Sequence, residues 1–296
     1  MRFAEAQQYV AEGYAWVVDL DLEKFFDRVN HDRLMSQLAK RIGDKRLLKL
    51  IRSFLEAGVM IGGLISPTDE GTPQGGPLSP FLSNVVLDEL DRELERRGHR
   101  FVRYADDCNI YVKTERAGRR VMDSVSRFIT TKLKLKVNAT KSAIARPEER
   151  KFLGFTFRTI DDKVARMISA KSIERVRRKI RDLTGRTRGK SFSAVIAKLN
   201  SYLSGWAGYY RFTEVTRQLE SLDAWLRRRL RAYLWKQWKT RRRRYAELFK
   251  LGVNRRLAKA AAGSSKGCWA MSHVKALDMA LNKTFFATAG LRLLAQ

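Results

Sequence analysis

Two adjacent carboxylates, Asp106 and Asp107, stand between two short runs of residues that favour β-strands, 101–104 and 108–112. This pattern predicts a β-hairpin whose turn carries both acids. A third acid, Asp21, comes at the end of another strand-like run upstream. A turn with paired acids beside a strand that supplies one more acid is an arrangement suited to divalent cations and phosphoryl transfer.

The chain is strongly basic. Its 296 residues include 60 Lys and Arg against 31 Asp and Glu, which gives a formal net charge of +29. Residues 171–260 alone hold 26 basic and 6 acidic residues. Such an excess repels itself in a folded protein and indicates a polyanionic partner, so we expect nucleic-acid binding centred on this part of the chain.

Other classes of protein are disfavoured. The sequence contains no run of about 18 apolar residues, so it predicts no membrane span. The first residues lack the hydrophobic core of a secretion signal. The cysteines, Cys108 and Cys268, are far apart, and with 3 histidines they give no zinc-binding spacing. We therefore expect a cytoplasmic protein without a membrane contact.

The periodicity changes along the chain. The front alternates strand-like and helix-like segments, with Asn30 and Asp32 as candidate helix caps and Ser79–Pro80 as a helix start. Three long basic amphipathic helices are predicted near 171–184, 191–210 and 214–238, and a linker over 261–267. The expected domains are residues 1–165, residues 166–260 and a short C-terminal tail over 261–296.

The order of four segments carries a resemblance. The segments are Asp-Leu-Glu-Lys-Phe-Phe-Asp at 21–27, Thr-Pro-Gln-Gly-Gly-Pro-Leu-Ser at 72–79, Tyr-Ala-Asp-Asp at 104–107 and Phe-Leu-Gly-Phe at 152–155. In this order they resemble the palm of a bacterial group II intron-encoded reverse transcriptase/maturase. Residues 199–210 resemble its thumb, or X, domain. The implied fold class is α+β: a right-hand polymerase palm, with an antiparallel sheet backed by helices, and then an all-α thumb.

The resemblance implies an RNA-directed DNA polymerase. Two Mg²⁺ ions, with Mn²⁺ as an alternative, would lie roughly 3.5–4 Å apart and stabilise the attacking and leaving oxygens. The implied ligands are the carboxylates of Asp21, Asp106 and Asp107 and the backbone carbonyl of Leu22. Asp19 lies on the same strand face as Asp21; it is either a supporting acid or an ordinary edge residue.

Further site residues follow from the same motifs. For the nucleotide they are Leu22, Phe26, Gln74, Gly75 and Lys141, and for the primer grip they are Phe152, Leu153 and Gly154. The alternatives are that Phe26 is a core residue and Lys141 a solvated charge. Contacts to nucleic acid are expected from Arg227, Arg228, Arg231, Lys236, Lys239, Arg241 and Arg242, while most Trp and Tyr residues among them belong to a helical core.

The resemblance is incomplete at both ends. The family pattern begins with a fingers region and this chain starts after it, and no Cys/His-rich endonuclease domain follows the thumb. The expected partners are an RNA template, an RNA–DNA hybrid, group II intron RNA and deoxynucleoside triphosphates. Two alternatives stay open: a catalytically weak RNA-binding splicing maturase, and a domesticated or defence-associated reverse transcriptase. The oligomeric state does not follow from the sequence.

Overall fold

The computed structural model describes residues 2–57, 59–61, 64–66, 71 and 78–295, with backbone alone at 59–61 and 64–66. The chain divides into two compact units, Met1–Ala165 and Arg166–Gln296. The helices and strands that begin before the boundary are α1 Arg2–Ala11, β1 Trp16–Leu20, α2 His31–Ala39, α3 Lys45–Glu56, β2 Val59–Ile61, β3 Leu64–Ser66, α4 Ser79–Arg96, β4 Arg100–Tyr104, β5 Asp107–Val112, α5 Glu115–Phe128, β6 Ala143–Ala145, β7 Phe155–Ile160 and β8 Lys163–Ile168, which crosses it.

A four-stranded sheet in the order β4-β5-β1-β6 is the centre of the first unit. All of its strand pairs are antiparallel, and β1 pairs with β5 from Trp16↔Val112 to Leu20↔Cys108. Strand β1 is therefore an inner strand and not an edge. Strand β6 is too short, at three residues, to give a periodic signal, and the sequence did not predict it.

Alternation along β1 divides its side chains between two hydrophobic cores. Val18 and Leu20 are buried with the apolar faces of α4 and α5. Val17 points to the opposite face, where it packs with Tyr111 and Phe157. The sheet is thus covered on both faces, and the positions after Val17 on the second face are Asp19 and Asp21.

Local signals start the helices where the sequence indicates. The side chain of Asn30 caps α2 by accepting from the backbone N–H of Arg33, and Asp44 and Thr114 cap α3 and α5 in the same way. Pro80 lies in the first turn of α4. Helix α5 ends at Phe128, and the turn that follows it, Ile129–Leu133, has the wider hydrogen bonding of a π-helix.

The second unit is helical. Its long helices are α6 Ala170–Leu183, α7 Phe192–Tyr210 and α8 Thr216–Gln237, followed by α9 Arg241–Lys250, α10 Arg255–Gly263, α11 Cys268–Met271, α12 Lys275–Ala280 and α13 Lys283–Thr288. Apolar residues of all three long helices share one core, among them Val176, Leu199 and Leu226. Of the helices in the described part of the chain, none is both long and apolar enough to span a membrane.

The C-terminal segment belongs to that core. Met271, Leu277 and Phe286 are buried among the side chains of the long helices. The linker predicted over 261–267 is in part helix, because α10 continues to Gly263 and buries Ala261 and Ala262. Residues 261–296 are therefore packed within the second compact unit and do not form a separate tail. Their small and polar residues suggested a linker, but the alanines fit a close helix contact.

Candidate active site

Acidic side chains continue the second face of the sheet beyond its apolar part. In the β1–β5 register, Val17 lies opposite Tyr111 and Asp19 lies opposite Asn109. Continuing the same register past Leu20↔Cys108 sets Asp21 opposite Asp107. Directly opposite residues of antiparallel strands point to the same face. We call Asp19, Asp21, Asp106 and Asp107 the acidic cluster.

Arg103 stabilises the turn between β4 and β5 by a hydrogen bond to its backbone. Ala105 in this turn has φ 53°, a left-handed conformation that is unfavourable for a residue with a Cβ. Arg103 Nη1 donates to the carbonyl of Ala105 at 2.8 Å, and its guanidinium forms a bidentate pair with Asp91 of α4. Arg103 is 7% exposed. A buried arginine thus ties the turn that carries Asp106 to a helix of the core.

The segment 138–142 fixes the backbone of Asp21. The carbonyl of Asp21 accepts from the N–H of Asn138 at 2.8 Å, and its own N–H donates to Ser142 Oγ at 3.0 Å. Lys141, the predicted phosphate contact, places its Nζ 3.7 Å from Asp21 Oδ1. Leu22 forms an isolated β-bridge to Val137, and its side chain is buried. The structure therefore brings Lys141 to the acidic cluster.

Two cations approach the cluster from the segment before the predicted primer grip. Arg150 Nε lies 3.6 Å from Asp19 Oδ2. Burial, followed by the negative charge of Asp19 and of the other cluster acids, raises the pKa of Asp107 to about 7, and the ammonium of Lys151 acts in the opposite direction. The four carboxylates therefore share one electrostatic environment with a surplus of negative charge.

The donor atoms of the acidic cluster are of the kind that divalent cations bind. Carboxylates and a backbone carbonyl are the hard oxygen ligands that Mg²⁺ and Mn²⁺ accept. In the part of the chain that the structure describes, however, no three Asp, Glu, His or Cys side chains lie close enough together to hold an ion. The cluster suits a divalent cation by the chemistry of its donors and by their shared face, whereas its carboxylates do not converge on one position. Lys141 and Arg150 lie next to two of them.

The backbone carbonyl of Phe26 lies close to Gly71. It packs against the core and against the ring of Phe25, with the ring centroids 5.3 Å apart. A Cβ on Gly71 would lie 2.8 Å from the carbonyl oxygen of Phe26, and Gly71 has φ +99°. The N–H of Gly71 also donates to the carbonyl of Val29 at 2.8 Å. The predicted nucleotide contacts Gln74 and Gly75 lie outside the described residues.

The predicted primer grip is a tight turn on the same face as the cluster. Leu153 and Gly154 have φ 51° and 82°, and Phe152 and Phe155 exchange backbone hydrogen bonds of 2.8 and 3.0 Å across them. This is the pattern of a two-residue turn with left-handed central residues. Phe152 is buried with Val17 of β1. The turn therefore lies on the sheet face that bears Asp19 and Asp21.

The basic residues predicted in the second unit differ in their surroundings. Lys236, Lys239, Arg241 and Arg242 are exposed, and Arg227 is half-buried. Arg228 Cζ lies 3.9 Å from the ring centroid of Trp269. Arg231 is engaged inside the unit: it pairs with Asp278 at 2.5 Å and donates to the carbonyl of Leu281 at 3.0 Å. We therefore leave Arg231 out of the candidate interface, because its guanidinium is used for packing.

Sequence reasoning missed several residues that shape the site. Arg103 lies in a strand, where a basic residue usually faces water, and its partner Asp91 comes 12 residues earlier on a helix. Ser142 reaches Asp21 across 121 residues. Neither spacing is a local pattern. Arg150 and Lys151 could have been found, since they directly precede a recognised motif.

Comparison with known proteins identifies the family. Residues 4–157 match the family model described as reverse transcriptase (RNA-dependent DNA polymerase). This match covers more than half of the chain, so the chain belongs to the reverse transcriptase family. Residues 173–250 match the maturase-specific domain of group II introns, which makes it a reverse transcriptase/maturase of the group II intron type. The predicted α+β palm fold is thereby confirmed.

Curated relatives agree with this assignment. The chain is 43% identical over 82 residues to protein YkfC of Escherichia coli K12, covering 28% of this chain and 22% of YkfC. It is 26% identical over 211 residues to the group II intron-encoded protein LtrA of Lactococcus lactis, covering 49% of this chain and 35% of LtrA. The chain thus spans about a third or less of the length of these relatives.

Proposed function

We propose that this chain carries the RNA-directed DNA polymerase site of a group II intron reverse transcriptase and binds intron RNA to assist splicing. The observation that carries the proposal is the register of β1 and β5, which runs to Leu20↔Cys108. Its continuation by one residue would bring Asp21 opposite Asp107, with Asp106 next to it in the turn. Membership of the reverse transcriptase family supports the same role. The palm would be residues 1–165, and the RNA-binding thumb would be residues 166–260, to which we add 261–296.

Asp21, Asp106, Asp107 and the carbonyl of Leu22 would hold the metal, which we propose to be two Mg²⁺ ions replaceable by Mn²⁺. Bound cations of this kind stabilise charge on the attacking and leaving oxygens of phosphoryl transfer. Other residues of the protein hold these ligands in position. Ser142 and Asn138 hold the backbone of Asp21, and Arg103 holds the turn of Asp106.

Other side chains would bind the substrates. Lys141 is close enough to Asp21 to meet a phosphate that approaches the acids. Phe26 would pack against the sugar of the incoming deoxynucleoside triphosphate. Gln74 and Gly75, which lie outside the described residues, are the other proposed nucleotide contacts. The turn of Phe152, Leu153 and Gly154 would hold the primer end of an RNA–DNA hybrid by backbone and apolar contacts. Lys236, Lys239, Arg241, Arg242, Arg227 and Arg228 would contact RNA phosphates.

Primer extension on an RNA template tests the polymerase assignment. We expect Asp106→Asn to lower incorporation at least about 100-fold, since it removes one charged ligand from the reacting centre. Asp123→Asn, at an exposed position of α5, is the matched control and should retain activity. Equal incorporation by the Asp106 variant and the control, or none by the unmodified chain, would remove the polymerase claim for this chain.

Two further measurements separate metal binding from RNA binding. Calorimetric titration with Mn²⁺ should show tight binding to the unmodified chain and a loss of at least about tenfold in Asp21→Asn, because a carboxylate ligand becomes neutral. The unmodified chain and Asp21→Asn should bind group II intron RNA with the same affinity. A loss of RNA affinity in Asp21→Asn would assign this acid to folding and not to the metal.

A further inference from the structure

Arginines surround Trp225 in the second unit. The guanidinium carbons of Arg177, Arg181 and Arg229 lie 5.7, 5.6 and 5.4 Å from the centroid of its indole ring. Arg177 and Arg181 are one turn apart on α6, and Trp225 and Arg229 are one turn apart on α8. Two helices therefore bring three cations to one aromatic side chain. We call these three residues and Trp225 the arginine cluster.

The arginine cluster has no carboxylate partner in the described part of the chain. Among the described residues, none of its arginines forms an ion pair, although neighbouring Arg178 pairs with Glu174 on the same helix. Arg229 Nε instead donates to the neutral hydroxyl of Thr184 at 2.8 Å. Burial, and then the charges of Arg186 and Arg181, lowers the pKa of Arg229. The positive charges of Arg181 and Arg186 thus act on Arg229 without a neighbouring carboxylate among its described ion-pair partners.

One donor of the cluster has no acceptor within the part of the chain that the structure describes. The Nε of Arg177 is buried there and forms no hydrogen bond with any described residue. A buried N–H without an acceptor is costly, and like charges at close range add to that cost. Contact with the indole ring offsets only part of this cost. An oxyanion that accepts from the remaining N–H groups of these guanidiniums would offset the repulsion between the like charges.

We propose that the arginine cluster is a binding site for phosphate groups of the RNA backbone. Arginine forks match the oxygens of a phosphate in a bidentate manner, and their attachment to a rigid ring reduces the entropy lost on binding. The ring of Trp225 supports the cations and is not free for a base, so the site recognises backbone and not sequence. This inference rests on the RNA binding proposed above for the second unit.

Salt dependence of RNA affinity is the direct test. The binding of a single-stranded RNA oligonucleotide to the full chain is measured by fluorescence anisotropy from 50 to 300 mM NaCl. In Arg177→Gln/Arg181→Gln we expect the slope of log affinity against log salt to shrink by about 1, since about one phosphate contact is lost. Affinity at 150 mM should fall about tenfold.

The matched control is Arg175→Gln/Lys179→Gln. Both residues are exposed and lie on α6 two positions before the cluster arginines, hence on the other side of the helix. The control removes the same two charges. If both double variants change slope and affinity equally, the effect is diffuse charge and the proposal is wrong. An unchanged slope in the cluster variant would overturn it as well, while RNA binding by the unmodified chain would still support the proposed function.

Two more variants and one ligand complete the experiment. Arg177→Lys/Arg181→Lys keeps the charge and loses the forks, so it should retain the slope but bind several-fold more weakly. Full affinity in this variant would exclude bidentate recognition. Titration with inorganic phosphate at constant ionic strength distinguishes the free ion from the RNA backbone: a cluster-dependent effect of phosphate with unchanged RNA affinity would overturn the proposal. Circular dichroism melts confirm that each variant is folded.

Discussion

At the scale of single residues, the site depends on side chains and glycines that its motifs do not name. Arg103 holds the carbonyl of Ala105, and Gly71 makes room for the carbonyl of Phe26. The sequence identified Asp21, Asp106 and Asp107 as candidates because short motifs carry the reacting groups. It could not identify Arg103, because the Asp91 partner of this arginine is found only when a helix packs on the sheet.

Replacing Arg103 should destabilise the first unit. In Arg103→Gln the bidentate pair is lost and Asp91, whose side chain is 20% exposed, remains without its cation. We expect the free energy of unfolding to fall by about 3 kcal/mol. Arg96→Gln is the control, because the Arg96 side chain is 70% exposed and an exposed ion pair such as Arg96–Glu93 contributes little to stability. Equal losses in urea denaturation would refute a buried role for Arg103.

Gly71 is predicted to tolerate no side chain. In Gly71→Ala the new Cβ would lie 2.8 Å from the Phe26 carbonyl oxygen, and the φ of +99° adds backbone strain. We expect a loss of about 2–4 kcal/mol in the free energy of unfolding. Gly98→Ala has φ +70° but open space around its Cβ, so it should lose only about 1–2 kcal/mol. The difference between the two variants in thermal melts isolates the steric contact; no difference would mean that the contact is absent.

At the scale of elements, periodicity predicted what is repetitive and failed where an element is short or packed by small residues. The long helices α6, α7 and α8 are close to their predicted bounds because apolar residues recur along each of them. Strand β6 has three residues and was not predicted. Segment 261–267 was predicted as a linker because of its composition, yet Ala261 is buried in a helix contact.

One carboxylate holds the end of the C-terminal segment. Asp223 of α8 is 3% exposed, and its oxygens accept from the backbone N–H groups of Leu294, at 3.0 Å, and Ala295, at 3.0 Å. Asn200 of α7 adds a second attachment, since its amide donates to the carbonyl of Gly290 at 2.6 Å. The last described residues are therefore part of the packing of α7 and α8.

Removing this carboxylate should destabilise the helical unit. In Asp223→Ala two backbone N–H groups lose a charged acceptor inside the protein, and we expect a loss of about 2–4 kcal/mol in the free energy of unfolding. Glu220→Ala, at an exposed position of the same helix, should change it by less than about 0.5 kcal/mol. Hydrogen exchange should also become faster at Leu294. Protection that is unchanged in Asp223→Ala would contradict the attachment.

At the scale of the whole molecule, charge is the dominant property. A net charge of +29 on 296 residues repels itself, and Arg229 is one residue whose pKa is lowered by burial and by neighbouring positive charges. The family could be inferred from the sequence because its motifs occur in order over most of the chain. The placement of the basic residues could not, since a count of charges does not distinguish Arg231, which pairs with Asp278, from exposed Lys236.

Added salt should therefore stabilise the protein. Between 50 and 500 mM NaCl the screening length falls to a few ångströms, which weakens repulsion between surface charges. We expect the melting temperature to rise by roughly 2–4 °C, equivalent to about 1 kcal/mol. Differential scanning fluorimetry with sodium chloride and with choline chloride should give the same rise. A melting temperature that falls with both salts would mean that ion pairs outweigh the repulsion.

The alternation along β1 constrains how this chain can change during evolution. Val17, Asp19 and Asp21 share one face, whereas Val18 and Leu20 share the other. Inserting or deleting one residue within this strand would exchange the two sets of side chains. The acids would then enter the hydrophobic core, and aliphatic side chains would be exposed beside the reacting centre. Homologues can therefore vary the side chains of this strand more readily than its length.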